Sequence, residues 1–223
     1  YFKLGFCENS KKIQNKLFEN GFTSDELIKS GMYYKKDGTD ELVNRFKNRI
    51  TFPIQNYYNN FIGCGGRTVL ANALAKYINS PETNFFKKGF NLFNLNNAKK
   101  ESLNSNNLIL VEGYMDVVSL FNKGIKNVSA TLGTAMTTSQ ISLAWKNFDK
   151  IIICFDGDQS GIDASYRAAE RILKILKPGK DIYFAKIPNS QDPDDFVNQF
   201  GKEGFNSLIN QSKDLADVIF NQH

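Results

Sequence analysis

Five carboxylates in this 223-residue sequence have the type and spacing to do chemistry. Glu112 directly follows the apolar run Leu108–Val111. Asp156 and Asp158 directly follow the run Ile151–Phe155. Asp192 and Asp194 repeat the same i, i+2 spacing after the run Ile182–Ile187. Asp116, a sixth, stands four residues after Glu112. Acids that converge at one sheet edge repel one another unless a cation neutralises them. The only histidine is His223, and Cys7, Cys64 and Cys154 are scattered, so no Cys/His set for zinc exists. Oxygen ligands of this kind suit Mg²⁺ or Mn²⁺, held with water and substrate phosphates. A plainer reading stands beside this one for each residue. A lone Asp-x-Asp is usually a solvated loop, and Asp116, Asp194 or Asp195 in a first helical turn would offset a helix dipole.

The basic residues offer a complementary chemistry. Only five arginines occur, and Arg45, Arg49 and Arg67 fall within one short stretch. Where lysine is the default cation, arginine indicates a use for its planar fork, which matches phosphate. Arg45, Lys47 and Arg49 alternate and would share one face of an extended segment, although a solvated face has the same pattern. Gly63-Cys64-Gly65-Gly66-Arg67 allows close approach of a phosphate, or marks a bulged strand end. Gly133-Thr134-Ala135-Met136-Thr137 could present backbone N–H groups to phosphate, or lead into a helix capped by Thr138 or Ser139. Lys76, Lys87 and Lys88 lie in polar stretches.

The elements that must position these groups form three regions. Residues 1–103 read as mixed. Helices are expected at Ser10–Phe18 and after a Thr23–Glu26 capping box. A hairpin is expected from Ile50–Ile54 and Phe61–Cys64, and Asn91–Glu101 leads into a linker that runs to Asn107. Residues 104–187 alternate strand and helix, which predicts a parallel sheet with covering helices. Glu112, Asp156 and Asp158 would then sit at carboxyl ends of strands, where such sheets bind ligands. Residues 188–223 read as helical, the start of a subdomain expected to be incomplete. The fold class expected is α/β, α+β overall.

Hydrophobic residues make up 41% and charged residues 23%, which excludes a disordered, collagen-like or coiled-coil chain. No apolar run approaches a membrane span, and Tyr1–Phe6 is no signal peptide. The scattered cysteines indicate a reducing compartment. The net charge of +5 permits a polyanion partner.

Glu112-Gly113-Tyr114-Met115-Asp116-Val117 and Asp156-Gly157-Asp158-Gln159-Ser160-Gly161 resemble the two signatures of the TOPRIM fold. The rest resembles the RNA-polymerase core of bacterial DnaG-type DNA primases. Arg45–Ile54 resembles the basic motif of that family, and Gly65-Gly66-Arg67, Lys76–Thr83 and Phe86-Lys87-Lys88-Gly89 follow in family order. Gly133–Thr137 and Asp192-Pro193-Asp194 complete the set. Departures are Cys64 for an aromatic, Ala75 for Pro, Phe93-Asn94 for Tyr-Gly and Ser160 for Ala; none removes a charged residue.

The resemblance implies template-directed synthesis of short RNA primers on single-stranded DNA from ribonucleoside triphosphates. It makes Glu112, Asp156 and Asp158 the catalytic, Mg²⁺- or Mn²⁺-binding acids, extended by Asp116, Asp192 and Asp194. Arg67, Lys76, Asn79 and Lys88 would contact the nucleotide or template, and Arg45 and Arg49 would guide the DNA. Zinc is not expected in this fragment. A replicative helicase and a single-strand-binding protein would be met through regions outside it, in a bacterial cytoplasm or an organelle of bacterial ancestry. Two alternatives use the same residues: a TOPRIM nuclease or topoisomerase, with Tyr57, Tyr58 or Tyr77 available as nucleophile, and a non-catalytic nucleic-acid-binding module.

Overall fold

The computed structural model describes residues 1–8 and 10–220; His223 lies outside the described residues. Two units can be separated, residues 1–55 with 59–87, and residues 56–58 with 88–223.

The first unit is built on a four-stranded antiparallel sheet in the order β1-β4-β5-β6. These strands are β1 (Gly5–Cys7), β4 (Arg49–Gln55), β5 (Phe61–Thr68) and β6 (Tyr77–Asn79). The hairpin β4–β5 runs further than the apolar residues alone predict, and Gly63–Arg67 lies inside β5 rather than at a bulged end. The register shift falls instead at Ile54/Gln55. Pro53 is tolerated in β4 because β1 reaches only to Thr51, so nothing on that side needs its missing N–H. Helices α1 (Lys12–Glu19) and α2 (Ser24–Lys29) precede a small ribbon of β2 (Tyr33–Lys35) and β3 (Leu42–Asn44). The capping box expected at α2 forms: Glu26 N donates to Thr23 Oγ1, and Thr23 N donates to Glu26.

The second unit holds a five-stranded sheet in the order β11-β10-β9-β7-β8. The strands β7 (Asn107–Val111), β8 (Val128–Ala130), β9 (Lys150–Ile153) and β10 (Asp181–Phe184) are parallel; β11 (Lys213–Asp214) is antiparallel. Leu108, Leu110, Ile151 and Ile153 point into a core with α5 (Thr138–Ala144), α6 (Gln159–Leu173) and α8 (Leu215–Phe220). The alternate residues Ile109, Val111 and Ile152 are equally buried. The helices α4 (Tyr114–Asn122) and α7 (Pro193–Asn210) pack together. A strand covered on both faces must be apolar throughout, which is why these runs are continuous rather than alternating. No described helix is long and apolar enough to cross a membrane.

The Asn- and Lys-rich residues 91–101 fold into the core and lead into the short turn before β7. They contain α3 (Leu95–Ala98), and Leu92, Phe93, Leu95 and Ala98 are buried. Phe93 bridges to Ala130 at the edge of the sheet. The polar composition misleads because Asn94 and Asn96 are also buried.

Candidate active site

In the second unit the order in which strands are added to the sheet reverses between the parallel neighbours β7 and β9. From β7 the chain passes through α4 to β8 on one side; β9 and β10 lie on the other. Crossovers that leave in opposite directions open a crevice beyond the carboxyl ends of the two strands. Glu112 and Asp156 emerge there. Cys154 N donates to Leu110 O across the pair at 2.8 Å, and Asp156 N donates to Glu112 Oε1 at 3.3 Å.

The Asp156-Gly157-Asp158 segment is a turn, not an extension of the strand, so its two acids do not share a strand face. Asp158 caps α6, its Oδ1 accepting from Gly161 N at 2.8 Å. The turn is tight enough to demand both glycines. A Cβ on Gly157 would lie 2.4 Å from Ile187 O, and one on Gly161 would lie 2.1 Å from Asp156 O. Asp116 is buried at the start of α4 and accepts from Gly113 N at 2.8 Å. Asp192 caps α7 through Asp195 N. Asp194, in the first turn of α7, accepts from Ser119 Oγ at 2.5 Å and Asn198 Nδ2 at 2.7 Å.

The other acids act electrostatically on Glu112, Asp116 and Asp156. Burial pushes Asp116 up to about 7, helped by the charges of Asp156, Asp192 and Asp194. Burial pushes Asp156 to about 7 as well, with Glu112, Asp192 and Asp158 adding to it. Glu112 is raised by burial and by Asp158, against the hydrogen bond from the Asp156 amide and, less, the charge of Arg167. Asp156 Oδ1 is buried with no hydrogen-bond partner. An orphaned carboxylate oxygen among five other acids is what a cation would satisfy. Among the described residues, no group of three or more such side chains is placed to hold a metal ion as it stands.

In the first unit, pairing puts Arg67 opposite Tyr77 and Gly65 opposite Asn79, so Arg67 and Asn79 share a face of the sheet. Arg67 Nε is buried without a hydrogen-bond partner. Arg45, Lys47 and Arg49 do not line one extended face, because Arg45–Asn48 form a turn. Arg45 Nε donates to Gly31 O at 3.2 Å, and the guanidinium lies 5.2 Å from the Tyr34 ring. Arg49 pairs with Thr68, on the face opposite Arg67, and its guanidinium donates to Ala75 O at 3.1 Å and to Lys76 O at 3.3 Å. Lys76 Nζ lies 5.8 Å from the Tyr77 ring. Lys88 belongs to the second unit. Of the candidate tyrosine nucleophiles, Tyr57 donates its hydroxyl to Asn147 and has Lys99 Nζ 4.0 Å from its ring. The helix after Gly133–Thr137 is capped by Thr137, with Gln140 closing the box, rather than by Thr138 or Ser139.

Four contributors to the site have no motif signal of their own: Ser119, Asn198, Arg167 and Arg171. Arg171 Nη1 donates to Met136 O at 2.8 Å and so holds the 133–137 loop. The scarcity of arginine would have pointed to Arg167 and Arg171 by the same logic as to Arg67.

Residues 1–99 match the family described as DNA primase catalytic core, N-terminal domain, and residues 109–197 match the Toprim-like family. The solved Escherichia coli primase catalytic core is 37% identical, with a TM-score of 0.91 over 99% of this chain and 70% of that one. This chain belongs to the DnaG-type primase catalytic-core family. A second solved member, a DnaG primase catalytic domain bound to single-stranded DNA, is 36% identical with a TM-score of 0.91, over 99% of this chain and 69% of that chain. The DNA primase of Rickettsia felis is 39% identical over 219 residues, which is 98% of this chain and 36% of that protein. The chain therefore spans little more than a third of the curated relatives it matches. Membership gives the six acids a context, since Toprim-like domains generally bind divalent metal.

Proposed function

We propose that this chain is the catalytic core of a DNA primase, joining ribonucleotides into short RNA primers on a single-stranded DNA template. The observation that carries the reading is the six-acid cluster at the reversal of the sheet, with the buried oxygen of Asp156 left unpartnered. Mg²⁺ or Mn²⁺ held by Glu112, Asp156 and Asp158, with Asp116, Asp192 and Asp194 around them, would supply the positive charge that activates a primer 3′-hydroxyl and balances departing pyrophosphate.

The protein's own groups have separate tasks. Glu112 fixes the turn after β9 through the Asp156 amide, so that the two acids hold a set relation. Ser119 and Asn198 orient Asp194. Arg67, Lys76, Asn79 and Lys88 would bind triphosphate or template. Arg45 would guide the DNA strand. Arg49, with its fork given to two carbonyls, would act by shaping the Lys76 loop. In functional terms residues 1–103 would bind nucleic acid, residues 104–187 would hold the metal, and residues 188–223 would begin a helical subdomain. A replicative helicase and a single-strand-binding protein would be engaged through regions beyond this chain, in the cytoplasm of a bacterial cell.

Support for the template comes from the relative bound to single-stranded DNA. The test is extension of a short RNA annealed to single-stranded DNA, with labelled ribonucleotides. Extension should require Mg²⁺ or Mn²⁺ and fall at least about a hundredfold in Glu112→Gln, whose thermal unfolding should be near wild type. Full activity in Glu112→Gln would refute the assignment.

A further inference from the structure

A capping box opens α5, but the box alone does not explain why a glutamine closes it. Such a box uses only the side-chain oxygen of its last residue, and glutamate serves as well as glutamine. A negative charge there would also offset the helix dipole. Gln140 Oε1 does accept from Thr137 N at 3.0 Å. Its Nε2 does what a carboxylate cannot: it donates to Lys88 O at 3.0 Å and to Asn91 O at 2.9 Å. Gln140 is completely buried, so a carbonyl that loses this donor is left unsatisfied rather than handed to water.

The bonds fasten two stretches of the second unit to each other. Lys88 opens the long continuous part of that unit, in the 3₁₀ turn Lys88–Phe90. The start of α5 grips the turn twice. Gln140 holds the Lys88 carbonyl, and Thr137 Oγ1 donates to Gly89 O at 2.5 Å. Thr137 ends the loop that leaves the carboxyl end of β8. The other end of the loop is tied to the edge that carries the acids. Thr131 N donates to Val111 O at 3.1 Å, and Thr131 Oγ1 donates to Glu112 O at 3.4 Å. A continuous path from Gln140 through Thr137 and the loop to Thr131 therefore sets the Lys88 backbone relative to Glu112.

We infer that Gln140 is a positioning residue for primer synthesis: by holding Lys88 O and Asn91 O it fixes the Lys88 turn against the loop beside Glu112, so that the Lys88 ammonium meets nucleotide or template. The inference rests on the reading of Lys88 as a substrate contact. Gln140 itself touches no substrate. A displaced ammonium weakens the binding of phosphate and leaves the metal-holding acids in place, so the loss should fall on KM rather than kcat.

The test is extension of a short RNA on single-stranded DNA by the whole 223-residue chain. Gln140→Glu keeps the acceptor for Thr137 N and removes both donors. It should raise the same KM that Lys88→Ala raises, nucleotide or template, by about tenfold, with kcat within about twofold of wild type. Lys88→Ala/Gln140→Glu should be no worse than Lys88→Ala, because a lysine already removed cannot be misplaced. Ile141→Val, which loosens the core under the same helix, should lower the melting temperature and leave both KM values unchanged. Amide exchange reads the hold without catalysis: residues 89–91 should exchange about tenfold faster in Gln140→Glu, while β7 and β9 keep their wild-type protection. If the buried carboxylate unfolds the chain, Gln140→Met, uncharged and also without donors, takes its place. In an active enzyme, effects that multiply in the double variant, a fall in kcat with neither KM changed, no rise of either KM in Lys88→Ala, or unchanged exchange at 89–91 would overturn the inference. A wild type that never extends a primer would instead remove the polymerase reading and this role with it.

Discussion

At the scale of single residues, Asp116 carries the sharpest consequence. It is buried, it sits among Asp156, Asp192 and Asp194, and its carboxyl is held at about 7 rather than near 3.8. The folded chain then keeps a proton that the unfolded chain has released. Stability from this group is complete below about pH 4 and is lost as pH rises through 7. Asp116→Asn keeps an oxygen to accept from Gly113 N and removes the charge. In EDTA the variant should therefore gain on wild type as pH rises from 5 to 8, by on the order of 2 kcal/mol. Thermal unfolding at the two pH values measures the difference. A divalent cation should stabilise wild type more at pH 8 than at pH 5, because only there must it offset ionised acids. An equal gap between variant and wild type at both pH values would show that Asp116 is not the group that titrates.

At the scale of elements, what could be read from the sequence was local. The Thr23–Glu26 box forms because a cap needs only four consecutive residues. The helix Tyr114–Asn122 and the strand cores were visible in short apolar runs. Whatever depends on distant pairing was hidden. Nothing between Val111 and Lys150 announces that the strand order reverses between β7 and β9, yet that reversal makes the site. Arg45 and Arg49 alternate in sequence, but a turn intervenes and tertiary carbonyls take up Arg49. The Asn-rich stretch before β7 hides a core element because its polar atoms are satisfied inside. Asn94 has φ 67°, donates to Val128 O at 2.9 Å and accepts from Asn97 Nδ2 at 3.0 Å. Asn94→Ala loses both bonds and strains the backbone, and should cost roughly 2–4 kcal/mol. Asn94→Gly loses the bonds but not the backbone freedom, so it should cost about 1 kcal/mol less. Urea denaturation of the two variants checks the order. Alanine no worse than glycine would mean that the left-handed backbone at position 94 carries no cost.

At the scale of the whole molecule, charge is divided between the units. The first unit carries 13 lysines and arginines against 8 acids, and the second 15 against 15, so the net +5 resides entirely in the first. A nucleic-acid strand would thus be attracted chiefly by the first unit, while the acids at the sheet reversal of the second would repel it. Two salt effects with opposite signs follow. Monovalent salt should weaken binding of single-stranded oligonucleotide with a slope set by the phosphates contacted, about −0.7 per contact in a plot of log affinity against log salt. Removing one contacting cation, Arg67→Gln or Lys76→Gln, should make that slope shallower by about one such step. Millimolar Mg²⁺ should instead strengthen binding relative to EDTA at matched ionic strength, since it neutralises the acids. Asp156→Ala/Asp158→Ala should bind more tightly than wild type in EDTA and gain less from Mg²⁺. Fluorescence anisotropy with a labelled oligonucleotide reads all of these. Identical binding by that variant and wild type in both conditions would place the strand beyond the reach of the acidic cluster, and a polymerase, whose template must pass beside its metal, would then be the wrong reading of this fold.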